Sequence, residues 1–272
     1  MSNDDETSNY YDVVNQFVSE VWDPNFHQGY WDSDEDQATN REAADRLTDL
    51  VIERSGDLTG ARVLDVGCGY GLPAFRLADQ VPTVQVVGIS NNLSQVEGAN
   101  RRSADHGHAD RVTFEQVDAH ALPYGDNSFD AVWVVETLPH LDRLAALREF
   151  NRVVKPGGRV VITDMFLNAE PIASELAELR DHEAKTAMSP RLLEHEYREV
   201  VAQSGLILDE LKDISAETRR SAFRMLEAVN ERYDEFIERY TERILPILGA
   251  VRDPARRRPE LGYLIAVARK AI

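Results

Sequence analysis

Three glycines at every second position, directly after an acidic residue, are the part of this chain best suited to bind a ligand. An apolar run ending at Asp65 predicts a buried strand, and Gly67, Gly69 and Gly71 follow it in the pattern Asp-x-Gly-x-Gly-x-Gly. Glycines can adopt backbone angles that a side chain would forbid, and they leave room for a ligand beside the backbone. The segment therefore predicts a sharp strand-to-helix turn that holds a large cofactor.

The spacing of these glycines separates two classes of cofactor. A dinucleotide fingerprint reads G-x-G-x-x-G, and it places a pyrophosphate at the N-terminus of the following helix. Here the glycines alternate, and the carboxylate of Asp65 would repel a pyrophosphate but attract an ammonium group. The segment resembles motif I of the class I S-adenosylmethionine-dependent methyltransferases. This resemblance implies that the loop from Asp65 to Gly71 holds the amino-acid end of S-adenosylmethionine.

Polar residues after the next two predicted strands complete the expected cofactor site. Ser90 and Asn91 follow the second strand, at a place where most of the superfamily has an acid that holds the ribose. The Gly-Ile-Ser form with Gln95 resembles natural-product and cyclopropane-forming methyltransferases, in which the glutamine contacts the ribose. After the third strand, Asp118 can accept a hydrogen bond from an adenine amino group, and the N–H of Ala119 can serve a ring nitrogen.

Candidate catalytic residues follow the fourth and fifth predicted strands. Methyl transfer needs an aligned nucleophile and, for a hydroxyl acceptor, a base, which His140 can supply. Asp164 is predicted to orient His140 or to act on the acceptor, and Glu136 to face the acceptor. This region resembles bacterial sugar O-methyltransferases of antibiotic biosynthesis, the rebeccamycin type, which carry paired histidines here. The first of that pair is Pro139 in this chain, so oxygen and nitrogen both stay open as the methylated atom.

Alternating apolar strands and amphipathic helices from residue 61 onward predict an α/β fold. The count and order resemble the Rossmann-like, seven-stranded, mostly parallel sheet of the methyltransferases, with helices on both faces and a helical lid. In such sheets ligands bind at the carboxyl ends of the strands. The predicted strands are residues 62–66, 84–89, 112–117, 129–135, 158–165, 206–213 and 261–269.

Segments outside this alternation suggest a further level of organisation. We predict an N-terminal helical cap over residues 1–55 and a methyltransferase domain over 56–272, with lid insertions at about 168–190 and 215–258. A lid would keep water away from a reactive methyl group. The side chains expected to close the substrate pocket are Tyr11, His27 and Tyr30.

Composition limits the partners. The 48 acidic and 30 basic residues give a net charge of -18, which argues against nucleic acids and anionic membranes and favours a small-molecule acceptor. Cys68 is the only cysteine, so no internal disulfide and no multi-cysteine metal site is expected, and we predict no metal. The first residues resemble no export signal, and we predict a cytoplasmic protein. The sequence leaves open whether the protein forms a homodimer.

The function predicted from these residues is methyl transfer from S-adenosylmethionine to an oxygen or nitrogen of a small-molecule specialised metabolite. Three alternatives stay open. The chain could methylate carbon in a small apolar metabolite, or hold the cofactor without catalysis. A nicotinamide-dependent oxidoreductase is the remaining alternative, but it would need a third glycine nearer the helix and an acid near position 90.

Overall fold

The protein is described by a computed structural model in which the chain divides into two compact units. One comprises Met1–Arg46 and Ala216–Arg258, and the other comprises Leu47–Ser215 and Pro259–Ile272. The predicted division into a cap of residues 1–55 and a domain of residues 56–272 stays a prediction. The structure describes residues 17, 21, 22, 25, 27–185, 188–240, 244–253 and 260–272.

The larger unit is built on a seven-stranded sheet in the order β3-β2-β1-β4-β5-β7-β6. The first five strands pair in parallel, and β7 runs antiparallel to both β5 and β6. The predicted seven-stranded, mostly parallel sheet is therefore confirmed. The strands are β1 (Arg62–Val66), β2 (Gln85–Ser90), β3 (Val112–Gln116), β4 (Phe129–Val135), β5 (Val154–Leu167), β6 (Ile207–Asp213) and β7 (Leu261–Arg269).

Burial along the strands explains why the sequence forms this sheet. β1, β4 and β7 lie inside the sheet and are almost continuously buried, whereas the edge strands β3 and β6 are largely exposed. Strands covered on both faces read as unbroken apolar runs, which is the pattern of these inner strands. Trp133 of β4 is fully buried, and its indole N–H donates to Ser55 Oγ at 2.7 Å. The inner strands thus form a rigid support for the residues at their ends.

Helices precede and connect the strands, and side chains cap the N-termini of some of them. The side chain of Asn92 accepts a bond from the backbone N–H of Gln95 at the start of α3 (Leu93–Asp105). The side chain of Asp142 accepts one from the N–H of Ala145 at the start of α4 (Arg143–Val153). A single 3-10 turn, Leu138–His140, joins β4 to α4. The helices are α1 (Asn40–Ser55), α2 (Leu72–Gln80), α3 (Leu93–Asp105), α4 (Arg143–Val153), α5 (Ala173–Lys185) and α6 (Glu194–Gln203).

The smaller unit is mainly helical among its described residues. Its core packs Phe17 edge-on against Phe236, with Val229 and Leu248 beside them. Its helices are α8 (Arg220–Glu231), α9 (Tyr233–Tyr240) and α10 (Leu245–Arg252), and the short α7 (Ser215–Thr218) precedes them. None of the helices in the described part of the chain is both long and apolar enough to cross a membrane.

Candidate cofactor and acceptor site

The three glycines after β1 have different surroundings. All three have positive φ angles, 74° at Gly67, 52° at Gly69 and 82° at Gly71. A methyl group added at Gly67 would overlap the side chain of Thr137, and one added at Gly71 would overlap the ring of Phe114. At Gly69 no described atom lies within 4 Å of such a methyl group. Two glycines therefore permit close packing, and Gly69 alone of the three faces open space.

Asp65 is a buried carboxylate with an unsatisfied oxygen. Its side chain lies near the end of β1 and is 2% exposed, and Oδ2 has no hydrogen-bond partner among the described residues. Burial raises the pKa of Asp65 to about 7. A buried ionised carboxylate is costly unless a cation or a donor compensates it. The position is therefore prepared for a positively charged group.

Ser90 and Gln95 meet at the end of β2. Ser90 Oγ donates to Gln95 Oε1 at 2.9 Å and accepts a bond from the N–H of Asn92 at 3.1 Å. Asn91 is exposed, and its carbonyl accepts a bond from Gln116 Nε2 at 3.0 Å. The structure thus brings together the serine and the glutamine that were expected to serve one ligand group.

Asp118 and Ala119 follow β3, as the sequence predicts. Asp118 is exposed, whereas Ala119 is buried. Asp118 Oδ1 accepts bonds from the backbone N–H of His120 at 2.9 Å and from its Nδ1 at 2.8 Å. These hydrogen bonds from His120 lower the pKa of Asp118. The carboxylate is therefore ionised at neutral pH and able to accept a further hydrogen bond.

Glu136 occupies a strained backbone conformation directly after β4. Its φ is 50°, which is uncommon for a residue other than glycine, and such conformations cluster at functional sites. The backbone N–H of Glu136 donates to the carbonyl of Thr163 at 2.9 Å, and the hydroxyl of Tyr263 donates to Glu136 Oε1 at 2.8 Å. The carboxylate is thereby held in a fixed place at the end of β4.

Asp164 and His140 differ in burial. Asp164 is fully buried, and its oxygens accept bonds from Met165 N–H at 2.7 Å and from the hydroxyl of Tyr197 at 3.2 Å. Burial raises the pKa of Asp164 to about 7, although Arg143 opposes the shift. His140 is exposed at the end of the 3-10 turn, where its N–H donates to the carbonyl of Thr137 at 3.0 Å. His140 is the more accessible of these two groups.

The expected substrate residues belong to the smaller unit. Tyr11 lies outside the described residues. His27 is buried, and its Nδ1 lies 2.8 Å from the carbonyl of Gln28. Tyr30 is half-buried, and its N–H donates to the carbonyl of Ala43 at 2.8 Å. Their role in binding a substrate stays a prediction.

Four residues that the sequence analysis did not assign hold the assigned ones in place. Asn92 was recognisable from sequence, because asparagine before a predicted helix is a frequent N-cap. The other three comprise one residue that lies two positions from its partner and two that act across the fold, where no sequence signal links them to their partners. They are His120, which binds Asp118, Tyr197, which binds Asp164, and Tyr263, which binds Glu136.

Comparison with known proteins decides the family. A family described as "Methyltransferase domain" matches residues 64–162. The chain is 37% identical to 27-O-demethylrifamycin SV methyltransferase of Amycolatopsis mediterranei (strain S699), over 96% of this chain and 95% of the relative. It belongs to the class I S-adenosylmethionine-dependent methyltransferases. The methyltransferase is also 38% identical to Methyltransferase GfsG of Streptomyces halstedii, over 82% of this chain and 80% of that protein.

A solved structure shares the same fold over nearly the whole chain. The crystal structure of the cyclase SpnF superimposes on the methyltransferase with a TM-score of 0.82 and 32% identity, covering 96% of this chain and 93% of SpnF. The cofactor is S-adenosylmethionine, and the acceptor of its methyl group is a small molecule. The predicted fold, enzyme class and cofactor are therefore confirmed.

The residues of the larger unit fit this cofactor. The unsatisfied Oδ2 of Asp65 matches the ammonium of its methionyl end, and the opening at Gly69 leaves room beside the backbone. Ser90 and Gln95 together offer donors and acceptors for ribose hydroxyls. Among the described residues, no group of three or more histidine, cysteine or carboxylate side chains is arranged to hold a metal ion.

Alanine substitutions at two glycines of the loop should have different effects. Gly69→Ala should weaken binding of S-adenosylhomocysteine by about tenfold or more, because the new methyl group enters the open space, with a stability loss of about 1 kcal/mol. Gly71→Ala should cost about 2–4 kcal/mol of stability, because its methyl group meets the Phe114 ring. Calorimetric titration and denaturant unfolding would measure both. Equal stability losses would contradict the distinction.

Proposed function

We propose that the protein methylates a hydroxyl oxygen of a specialised metabolite, with His140 as the general base. One observation carries the proposal. The side chain of Thr137 occupies the space that Gly67 leaves open, so the turn Leu138–His140 begins beside the cofactor loop. An exposed imidazole in that turn is well placed to meet an acceptor. The similarity to 27-O-demethylrifamycin SV methyltransferase supports a natural-product hydroxyl as that acceptor.

The chemistry assigned to the chain is proton removal and positioning. S-adenosylmethionine, when bound, supplies a methyl group that is already electrophilic. A neutral hydroxyl is a weak nucleophile, and a histidine that takes its proton during transfer typically contributes about 10²–10⁴-fold in rate. Because the expected pocket is formed by fixed strand ends, acceptor alignment supplies a further part of the rate. We assign proton removal to the imidazole of His140.

Glu136 and Asp164 are proposed to have different tasks. Glu136, which is held by Tyr263 and strained in its backbone, is suited to orient the acceptor by hydrogen bonding. Asp164 is fully buried and bound to Tyr197, and burial raises its pKa to about 7. We therefore propose that Asp164 fixes the end of β5 against α6 instead of touching the acceptor.

We propose the cofactor contacts by the same reasoning. Asp65 binds the ammonium group, the backbone at Gly67, Gly69 and Gly71 lies along the methionyl end, and Ser90 with Gln95 serves the ribose. Asp118 and the N–H of Ala119 recognise adenine. Asn91 is exposed at the end of β2, and we propose that it borders the ribose.

A second function is favoured by a specific similarity. SpnF is named as a cyclase, and this chain is 32% identical to it over 96% of the length. A protein of this fold that holds the cofactor and catalyses ring closure without methyl transfer is therefore the second candidate. The higher identity to a protein named as a methyltransferase favours methyl transfer.

The deciding experiment is incubation of the purified protein with S-adenosylmethionine carrying a labelled methyl group. Macrocyclic and aromatic metabolites with free hydroxyl groups would be offered beside the same skeletons with amine groups. Label in the hydroxyl compounds, with one S-adenosylhomocysteine formed for each product, is the expected result. If label is found only in the amine compounds, the acceptor atom is nitrogen and not oxygen. Cofactor binding with conversion of an acceptor but no label in any product would favour the second candidate.

We also propose, from the net charge of -18, that the acceptor is neither nucleic acid nor a membrane lipid. A cytoplasmic location and a homodimeric assembly stay proposals. Light scattering of the purified protein with and without S-adenosylhomocysteine would determine the assembly.

A further inference from the structure

His120 connects two parts of the cofactor side of the larger unit. Its Nδ1 lies 2.8 Å from Asp118 Oδ1, and the backbone N–H of Asp142 donates to its Nε2 at 3.0 Å. A backbone N–H only donates, so Nε2 must be the unprotonated nitrogen of a neutral ring. The hydrogen is therefore on Nδ1, where it is donated to Asp118. One tautomer satisfies both bonds.

The bond to His120 fixes a carboxylate that is otherwise exposed. The side chain of Asp118 is 68% exposed, and its hydrogen bonds within the described residues come from the backbone N–H and the ring of His120. Both bonds end on Oδ1, so they set the plane of the carboxylate and leave Oδ2 for another donor. Without these bonds, the exposed side chain would rotate freely and would lose that freedom on binding a ligand. The lost entropy would weaken binding.

The other bond of the ring reaches the turn that carries His140. Asp142 follows that turn and caps α4, and the carbonyl of Leu141 accepts a bond from Ser189 Oγ at 3.0 Å. The ring of His120 is about one-third exposed, so it bridges two surface segments without supporting the core. The loop after β3 and the start of α4 are thus tied through one imidazole.

We propose that His120 is a positioning residue for the cofactor, which presents Asp118 to the adenine amino group in one fixed orientation. The inference rests on the proposed role of Asp118 in adenine recognition. It adds a residue that contacts neither the reacting atoms nor the adenine. His120 acts through Asp118, and its Nδ1–H tautomer is set by the backbone of Asp142.

Substitutions that keep one bond of His120 at a time test this inference. His120→Asn places an amide where Nδ1 stands and keeps the bond to Asp118, whereas His120→Gln places an oxygen near Nε2 and keeps only the bond from Asp142. In calorimetric titration, the affinity for S-adenosylhomocysteine should fall by about threefold to tenfold in His120→Ala and in His120→Gln. His120→Asn should stay within about twofold of the unchanged protein. Loss of affinity in His120→Asn equal to that in His120→Ala would overturn the proposal.

A double substitution separates this inference from the assignment of Asp118. If His120 acts through Asp118, the pair Asp118→Ala with His120→Ala should bind no more weakly than Asp118→Ala alone. Additive losses would show that His120 acts independently, and would overturn the inference. Unchanged affinity in Asp118→Ala would overturn both the inference and the adenine role of Asp118. Binding by the unchanged protein would still support S-adenosylmethionine as the cofactor.

Nitrogen NMR supplies a readout that does not depend on the cofactor. With labelled histidine at about pH 8, where imidazoles are neutral, the ring of His120 should show a protonated Nδ1 and an unprotonated Nε2. Comparison with the spectrum of His120→Asn assigns the signal. The opposite tautomer would contradict the bridge from Asp142 to Asp118.

Discussion

Replacing His140 by alanine is expected to lower kcat by about 10²–10⁴-fold and to leave the dissociation constant of S-adenosylhomocysteine unchanged. The imidazole lies in the turn after β4, on the acceptor side, whereas the proposed cofactor contacts lie after β1, β2 and β3. Losing the base should therefore remove a contribution made only in the transition state. Steady-state kinetics beside calorimetric titration measure the two quantities separately.

A matched control uses another exposed histidine. His195 lies in the first turn of α6 and has no assigned role, so His195→Ala should keep the kcat of the unchanged protein. Full turnover in His140→Ala would remove His140 as the base. The fold and the cofactor assignment would stand.

Replacing Asp65 by asparagine should weaken cofactor binding and stabilise the free protein at the same time. A hydrogen bond to a charged group is worth about 1.5–3 kcal/mol, so affinity for S-adenosylhomocysteine should fall by about 10- to 150-fold. In the free protein the Oδ2 of Asp65 is buried without a partner among the described residues. Removing that ionisable group should raise Tm near pH 8. Titration calorimetry and thermal unfolding test the two changes independently.

The pH dependence of stability follows from the same carboxyl. Burial raises the folded-state pKa of Asp65 from its ordinary value of 3.8 to about 7, so the folded state binds more protons than the unfolded state between these limits. Stability should therefore fall as pH rises from about 4 to 7 and level off above, by roughly 4 kcal/mol for one such group. Asp65→Asn should remove the contribution of Asp65 to that slope. The slope that remains should come from Asp164, whose pKa is also raised to about 7.

Asp164→Asn is the matched control for this prediction. Asp164 is a second buried carboxyl whose pKa is raised to about 7. Its replacement should therefore reduce the pH dependence of stability without weakening the binding of S-adenosylhomocysteine. In the unchanged protein, a cationic ligand should favour the ionised form of Asp65, and binding between about pH 5 and 7 should release a proton. Calorimetry in two buffers with different ionisation enthalpies would detect the release. Equal release by Asp65→Asn would exclude Asp65 as its source.

The fold and the order of the cofactor segments were predictable because the signals are local. An unbroken apolar run predicts an inner strand of a parallel sheet, and the residue after it lies at the ligand-binding edge. Asp65 and Ser90 lie at or near the end of such a run, and Asp118 follows the edge strand β3. The largest difference between a predicted and an observed strand boundary is at the start of β5, which is Val154 and not near residue 158. The Pro-Gly segment there bonds the end of β7, where Gly157 N–H donates to the carbonyl of Lys270 at 3.0 Å.

The environments of these residues were not predictable, because they depend on elements distant in sequence. Tyr263 reaches Glu136 across 127 positions, and Tyr197 reaches Asp164 across 33. The same holds for the glycine loop, where Phe114 and Thr137 decide which glycine faces open space.

Local patterns were enough to predict the sheet, the cofactor class and the strand ends that carry the candidate site, because periodicity and glycine spacing are properties of short segments. The unsatisfied oxygen of Asp65, the contact of Asp164 with Tyr197 and the bond from the backbone of Asp142 to His120 follow from the tertiary structure alone. Burial and hydrogen-bond partners arise when distant segments pack together. They set the pKa and orientation of a side chain, and no local pattern encodes them.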